Sequence, residues 1–174
     1  MGKINARTIK YTIYDRSGAR PKLIGETTSI TLPNLEYLTE AISGAGVNGE
    51  IDFPTLGQIG SAVLAIAHRG LGDGIIALSA PKVQNIEIRW AAYAIDEATG
   101  ATEIVDKKVI FKGLPKKLDS GVIEPNKAEE SATEFEMLYY KLIIKGKTRI
   151  EIDKLNDVFI VDGVDYNANI TNVL

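Results

Sequence analysis

Apolar and polar residues alternate with a period of two along most of this chain. Only a strand with one buried face and one wet face uses that period. In residues 8–14, Ile9, Tyr11 and Ile13 alternate with Thr8, Lys10 and Thr12, up to the turn-forming run Asp15-Arg16-Ser17-Gly18. Short strands are expected at 22–25 and 28–32, and 61–68 is apolar almost throughout, as a strand covered on both faces would be. Strands at 86–95 and 102–112 are joined by Asp96-Glu97-Ala98-Thr99-Gly100, a hairpin connection by composition. The longest strand is predicted at 131–145, with Phe135, Met137 and Tyr139 on one face and Glu134, Glu136 and Leu138 on the other. Gly146-Lys147 turns it into 148–153. The last pair, 158–161 and 164–166, flanks Asp162-Gly163, which suits a tight hairpin because both residues tolerate positive φ.

The interruptions are as informative as the pattern. Pro115 predicts a bend or an edge position, since proline donates nothing to a sheet. Residues 118–123 are weakly strand-like, and Pro125-Asn126-Lys127 marks a turn. Asp73 is placed to cap a short helix with Ile75, Ile76 and Leu78 as its apolar face, ended by Pro81. Residues 34–42 read two ways: Leu35, Leu38 and Ile42 have helical spacing after Pro33, but the run is short enough to be extended. Segment 43–60 holds five glycines (Gly44, Gly46, Gly49, Gly57, Gly60) and reads as a mobile loop. The expectation is one domain over residues 1–174, mainly β, with one short flanking helix and an extended glycine-rich loop.

Little in the chain offers chemistry. There is no cysteine, so neither a disulfide framework nor a thiolate metal site is available, and His68 is the single imidazole. The formal charge of −3 argues against a partner held through phosphates, which needs clustered cations. No run of about 18 apolar residues and no secretion-type leader stands out, which predicts a soluble cytoplasmic chain with no membrane anchor. Gly44-Ala45-Gly46-Val47-Asn48-Gly49 spells G-x-G-x-x-G, but Glu50, Asp52 and Pro54 stand where the phosphate-binding helix would run. His68 is expected as a polar residue at the sheet rim, and Trp90 and Tyr93 as core aromatics. Glu129-Glu130, or Glu134 with Glu136, have the types of a glycosidase pair, yet glutamates two apart on a strand make a solvated face. Asp162-Gly163-Val164-Asp165 is too sparse for a calcium loop. The chain is therefore not expected to be an enzyme, and no catalytic, cofactor-binding or metal site is assigned.

A set of short motifs runs in order along nearly the whole chain. They are Leu32-Pro33-Asn34-Leu35-Glu36, Ile42-Ser43 continuing through Gly49 to Glu50-Ile51-Asp52, Phe111-Lys112-Gly113-Leu114-Pro115-Lys116, Lys141-Leu142 with Ile150-Glu151-Ile152-Asp153-Lys154-Leu155-Asn156, and Val161-Asp162-Gly163-Val164-Asp165-Tyr166. This order resembles the major tail tube protein of contractile-tailed bacteriophages, a family that also serves phage-tail-like bacteriocins. The resemblance implies a β-sandwich or barrel of the phage tail tube type. It further implies hexameric rings stacked into a hollow tube that conducts DNA or ions, inside a sheath and initiated at a baseplate. Self, tail sheath, baseplate and tape-measure proteins are then the partners, and DNA passes without specific binding. The location would be the virion tail, assembled in the bacterial host cytoplasm. By the same resemblance, 34–42 is a strand leading into the loop.

Two sets of residues follow as expectations. Ring stacking falls to Ser43, Gly44, Ala45, Gly46, Val47, Asn48, Gly49, Glu50, Ile51, Asp52, Phe53 and Leu56, whose apolar members would be buried against the next ring. Lumen acids that repel phosphate would come from Glu87, Glu103, Glu129, Glu130, Glu134 and Glu136. The alternatives are a ring-forming tube protein of a type VI-like secretion system and a carbohydrate-binding β-sandwich. The latter needs exposed aromatics on one sheet face, and aromatics are only 7% of the chain and lie mostly on alternating apolar positions.

Overall fold

The computed structural model describes residues 2–174. In chain order its elements are β1 (Lys3–Asp15), β2 (Lys22–Ile24), β3 (Thr27–Thr31), β4 (Tyr37–Ser43), β5 (Glu50–Ile59), β6 (Val63–His68), α1 (Asp73–Leu78), β7 (Gln84–Asp96), β8 (Thr102–Asp119), β9 (Ala132–Ile144), β10 (Lys147–Asp153), β11 (Val158–Val161), β12 (Val164–Asp165) and α2 (Ala168–Thr171). All pairings are antiparallel. The main sheet runs β12-β11-β10-β9-β8-β7-β1-β2, and β6 and β3 leave this path from β9.

That branch gives the body its two layers. The first half of β9 pairs with β6 (Leu64 opposite Phe135) and its second half with β10 (Ile152 opposite Tyr140). The strand therefore passes from one layer to the other. Ile13, Ile88 and Val109 of the long strands and Leu64, Ile66 and Phe135 of the covering ones form a single buried cluster. The hydroxyl of Tyr11 donates to the carbonyl of Thr27 at 3.0 Å and ties β1 to β3 across the layers.

The switch of layer needs an irregular residue. Opposite β8, Tyr139 faces Lys112 but Met137 faces Gly113, so Leu138 is an extra residue in β9. The inserted residue reverses the alternation, so Tyr140 is buried rather than the expected Tyr139. Gly113 is required there, because a Cβ would collide with the Glu136 carbonyl and the Phe111 ring.

Pro115 lies inside β8, which runs on to Asp119 as the longest strand. It is tolerated because β7 pairs with β8 only as far as Gly113, so beyond that point the proline's missing N–H faces an open edge. Residues 120–131, part of which was weakly strand-like in sequence, are irregular. The tight turns follow their chemistry: Asp162 and Gly163 both have positive φ, as do Lys145 and Gly146.

Helix α1 forms where expected with two differences. Gly72, not Asp73, is its N-cap, and Asp73 stands in the first turn, where an anion is favoured by the helix dipole. Only Ile75 and Leu78 are buried, while Ile76 is exposed. The one-turn α2 had no periodic signal, since four residues are too few to show one. No helix among the described residues is long and apolar enough to cross a membrane.

His68 is not at the rim. It is buried at the end of β6, with Nε2 3.0 Å from the Thr133 hydroxyl and no partner for Nδ1. Burial pushes its imidazole below the ordinary value of 6.5. The neutral ring is thus favoured in the fold, and its stability contribution is complete above about pH 6.5. It is lost as pH falls below the unfolded value, because the unfolded chain then takes up a proton that the fold refuses. The melting temperature should therefore fall between about pH 7 and pH 5, and a His68→Gln variant should show a shallower fall. An equal pH slope in both proteins would assign the effect to other groups.

Candidate assembly interface

β4 and β5 do not join the main sheet and pair only with each other. The segment 43–60, expected to be a glycine-rich loop, comprises the turn and the second strand of this hairpin. Only 44–49 is turn, with Gly44, Gly46 and Gly49 at positive φ and Val47 donating to the Gly44 carbonyl at 3.1 Å. Ala45 and Asn48 complete the turn, whereas Ser43, Glu50, Ile51, Asp52, Phe53 and Leu56 lie in strands. The helical spacing in 34–42 misleads for the same reason: Tyr37–Ser43 is β4, and its leucine and isoleucine recur along an extended chain.

The register sorts the arm's side chains. Ile42 pairs with Ile51, Glu40 with Phe53, Ser43 with Glu50, Ala41 with Asp52 and Thr39 with Pro54. Directly opposed residues share a face, and faces alternate along each strand. One face therefore carries Leu38, Glu40, Ile42, Ile51 and Phe53, and the other carries Thr39, Ala41, Ser43, Glu50, Asp52 and Pro54. The apolar face is uncovered: Ile51 is 52% and Phe53 57% exposed. Leu56 is exposed as well, beyond the irregularity that separates the Thr39 and Tyr37 pairings. An isolated two-stranded hairpin is marginal in water, and a contiguous uncovered apolar face marks an interaction site.

The root of the arm is fixed. Gly60 N–H donates to Glu36 at 2.9 Å, Lys154 Nζ donates to the Gly60 carbonyl at 2.8 Å, and the Tyr37 ring lies 5.8 Å from that of Phe159. Gly57, at φ +77°, has no space for a Cβ against the Asn167 side chain beside α2. The arm is thus a braced projection from the body.

The six candidate lumen acids do not form one surface. Glu87 is 1% exposed and clasped by Arg16 and Arg89, so it offers no free charge to a channel. Glu103 is bound by Lys145 and Lys3, whose hydrogen bonds hold its carboxyl below the usual range. Glu129 and Glu130 lie in the irregular segment before β9, and Glu129 accepts from Leu71 N–H. Glu134 and Glu136 share one face of β9, within 4 Å of Lys117, and of Lys116 and Lys154, respectively.

The aromatics also differ from expectation. Trp90 packs on the core, but Tyr14, Tyr93 and Tyr139 project from the outer face of the long strands, each under a cation: Arg89, Arg7 and Lys112. The open edge of β1 went unrecognised in the sequence as well. Its N-terminal part pairs with β7 alone, because β2 reaches only Ile13–Asp15. Residues 3–7 alternate, with Ile4 and Ala6 between Lys3, Asn5 and Arg7, but out of phase with Ile9, Tyr11 and Ile13, so they do not read as one strand with 8–14.

Comparison with known proteins agrees with this architecture. A family model described as phage tail tube protein FII matches residues 18–174. The tail tube protein of Escherichia phage P2 is 32% identical over 144 residues, covering 81% of this chain and 82% of that protein. Two solved assemblies share the fold. One is a chain of the anti-feeding prophage baseplate (TM-score 0.50, 10% identity, 77% of this chain and 92% of that one). The other is a chain of an extracellular contractile injection system, PVC, in its sheath/tube terminator (TM-score 0.50, 14% identity, 78% and 93%). This chain belongs to the phage tail tube protein FII family, as a tail tube protein of a contractile phage or contractile injection system.

Proposed function

We propose that the chain, as one tail tube domain over residues 1–174, forms hexameric rings that stack into the hollow inner tube of a contractile tail. The observation that carries this reading is the arm: a braced hairpin with an uncovered apolar face, of no use to a solitary subunit. Side-by-side closure uses the open edge of β1, whose backbone groups otherwise invite uncontrolled pairing. A head-to-tail contact of this kind closes into a ring, and the arm supplies the separate contact that repeats along the axis. The tube serves as a conduit for DNA or ions, sits inside a sheath, grows from a baseplate with a tape-measure protein, and is assembled in the host cytoplasm. The family's structural role implies that it catalyses nothing.

Negative-stain microscopy of the purified protein at rising concentration should show annuli and then tubes. Monodisperse particles at every concentration would contradict the proposal. Glu134 and Glu136, which share one strand face, are proposed for the conduit wall. Reversing both to lysine should slow DNA release, and unchanged release would remove them from that role.

A further inference from the structure

The body carries two surfaces of opposite charge at opposite ends of its longest hairpin. On the outer face, Thr12, Arg89, Lys108 and Ile143 stand in register across four adjacent strands. They line a groove of about 510 Å³ to which Lys10 adds charge, so that three cations, Lys10, Arg89 and Lys108, stand beside the carboxylate of Asp106. This is a basic groove on a chain whose net charge is −3. At the other end, the segment between β8 and β9 brings the carboxylates of Asp119, Glu124, Glu129 and Glu130 around one cation, Lys127. Between those acids project Val122 and Ile123, 65% and 89% exposed.

The acidic segment is shaped in advance. Val122 N–H donates to the Glu129 carbonyl at 2.9 Å, Glu130 N–H to Arg69 at 3.1 Å, and the Ser131 hydroxyl to Gly70 at 2.8 Å. Gly121, at φ +83°, lies where a Cβ would strike the Glu129 carbonyl. Exposed apolar side chains on a fixed loop are arranged for a partner, since burying them costs little further ordering. The loop cannot reach its own groove. Asp119 is the last residue of β8, and Lys108 lies about 36 Å back along it at the rise of a strand.

We propose that the acidic loop 119–130 of one copy seats in the basic groove of an adjacent copy, as a contact separate from the hairpin arm. Charge sign, the apolar Val122 and Ile123 against the apolar Ala91 and Ile143 of the groove lining, and the separation of the two surfaces all favour a second copy as occupant. This inference rests on the reading that copies assemble.

Charge reversal tests it. Glu124 and Glu130 have carboxylates that accept no backbone hydrogen bond, so Glu124→Lys with Glu130→Lys leaves the loop braced. That loop variant, and separately Lys10→Glu with Lys108→Glu, should each raise the concentration needed for assembly by about tenfold or more. The chain carrying all four changes should recover part of its assembly, because the reversed residues on each side again face opposite charge. Ile123→Cys with Ala91→Cys, in a chain without other cysteines, should give an oxidised ladder of covalent oligomers that neither single cysteine gives. If wild type assembles while both reversals assemble equally well, or the fourfold variant gains nothing, or no ladder appears, the docking is wrong although tube formation stands. If wild type itself never assembles, the underlying reading fails instead.

Discussion

A chain carrying Ile51→Asp and Phe53→Asp is expected to fold as the wild type does and to form no tubes. Both side chains are more than half exposed in the free subunit, so their loss removes almost nothing from the folded body. Surface substitutions of this kind stay within about 0.5 kcal/mol. Burial against a neighbouring copy is a different matter, because each large apolar side chain so covered contributes about 1.5–3 kcal/mol. Two of them account for a factor of about 10² to 10⁴ in the affinity of one contact. A carboxylate left in that apolar contact adds a desolvation penalty. Circular dichroism and thermal melts should therefore match those of wild type, while sedimentation shows only unassembled protein. Wild-type assembly by the variant would remove the arm from the contact.

Phe135→Ala should reverse that pattern. Phe135 is fully buried where β9 crosses between the layers, within the cluster that includes Leu64 and Phe111. Truncating a phenylalanine in such a place leaves a cavity and costs about 3–5 kcal/mol, a large share of the stability of a chain this size. Denaturant titration should show a midpoint far below that of wild type. Phe53→Ala should leave the midpoint almost unmoved and raise only the concentration needed for assembly. A small stability loss at Phe135 would mean that the two layers do not share one core.

The strands were legible because their alternation reports a physical fact, one face against the core and the other wet. Residues 8–14, 86–95 and 148–153 show it plainly, and each lies in an observed strand. The arm was legible only as an interruption. Its alternation, as in Ile51, Asp52 and Phe53, is short, and the five glycines of segment 43–60 suggest a loop although three of them make only the turn. Tyr139 departs from the simple alternation for another reason. One extra residue, Leu138, reverses the side of everything after it, and no composition rule marks a bulge of that kind. The flank of His68, Arg69 and Gly70, gives no sign of the Thr133 hydroxyl that meets it from another strand.

Charge was the least legible property. Sequence alone offers glutamates as lumen acids by type and position, but a carboxylate's effect depends on its neighbours across the sheet. Glu87 is held by Arg16 as well as by its near neighbour Arg89, and Glu103 by Lys3 and Lys145; three of these four cations lie far away in sequence. The basic groove escaped notice for the same reason, since Lys10, Arg89 and Lys108 meet only through strand register.

Hydrogen exchange along residues 37–59, measured in free subunits and in assembled tubes, tests the central claim most directly. The account predicts fast exchange in the free subunit for arm amides on the unpaired edges of β4 and β5, and strong protection of the same amides once tubes form. Equal protection in the two states would show that the arm has no partner in another copy.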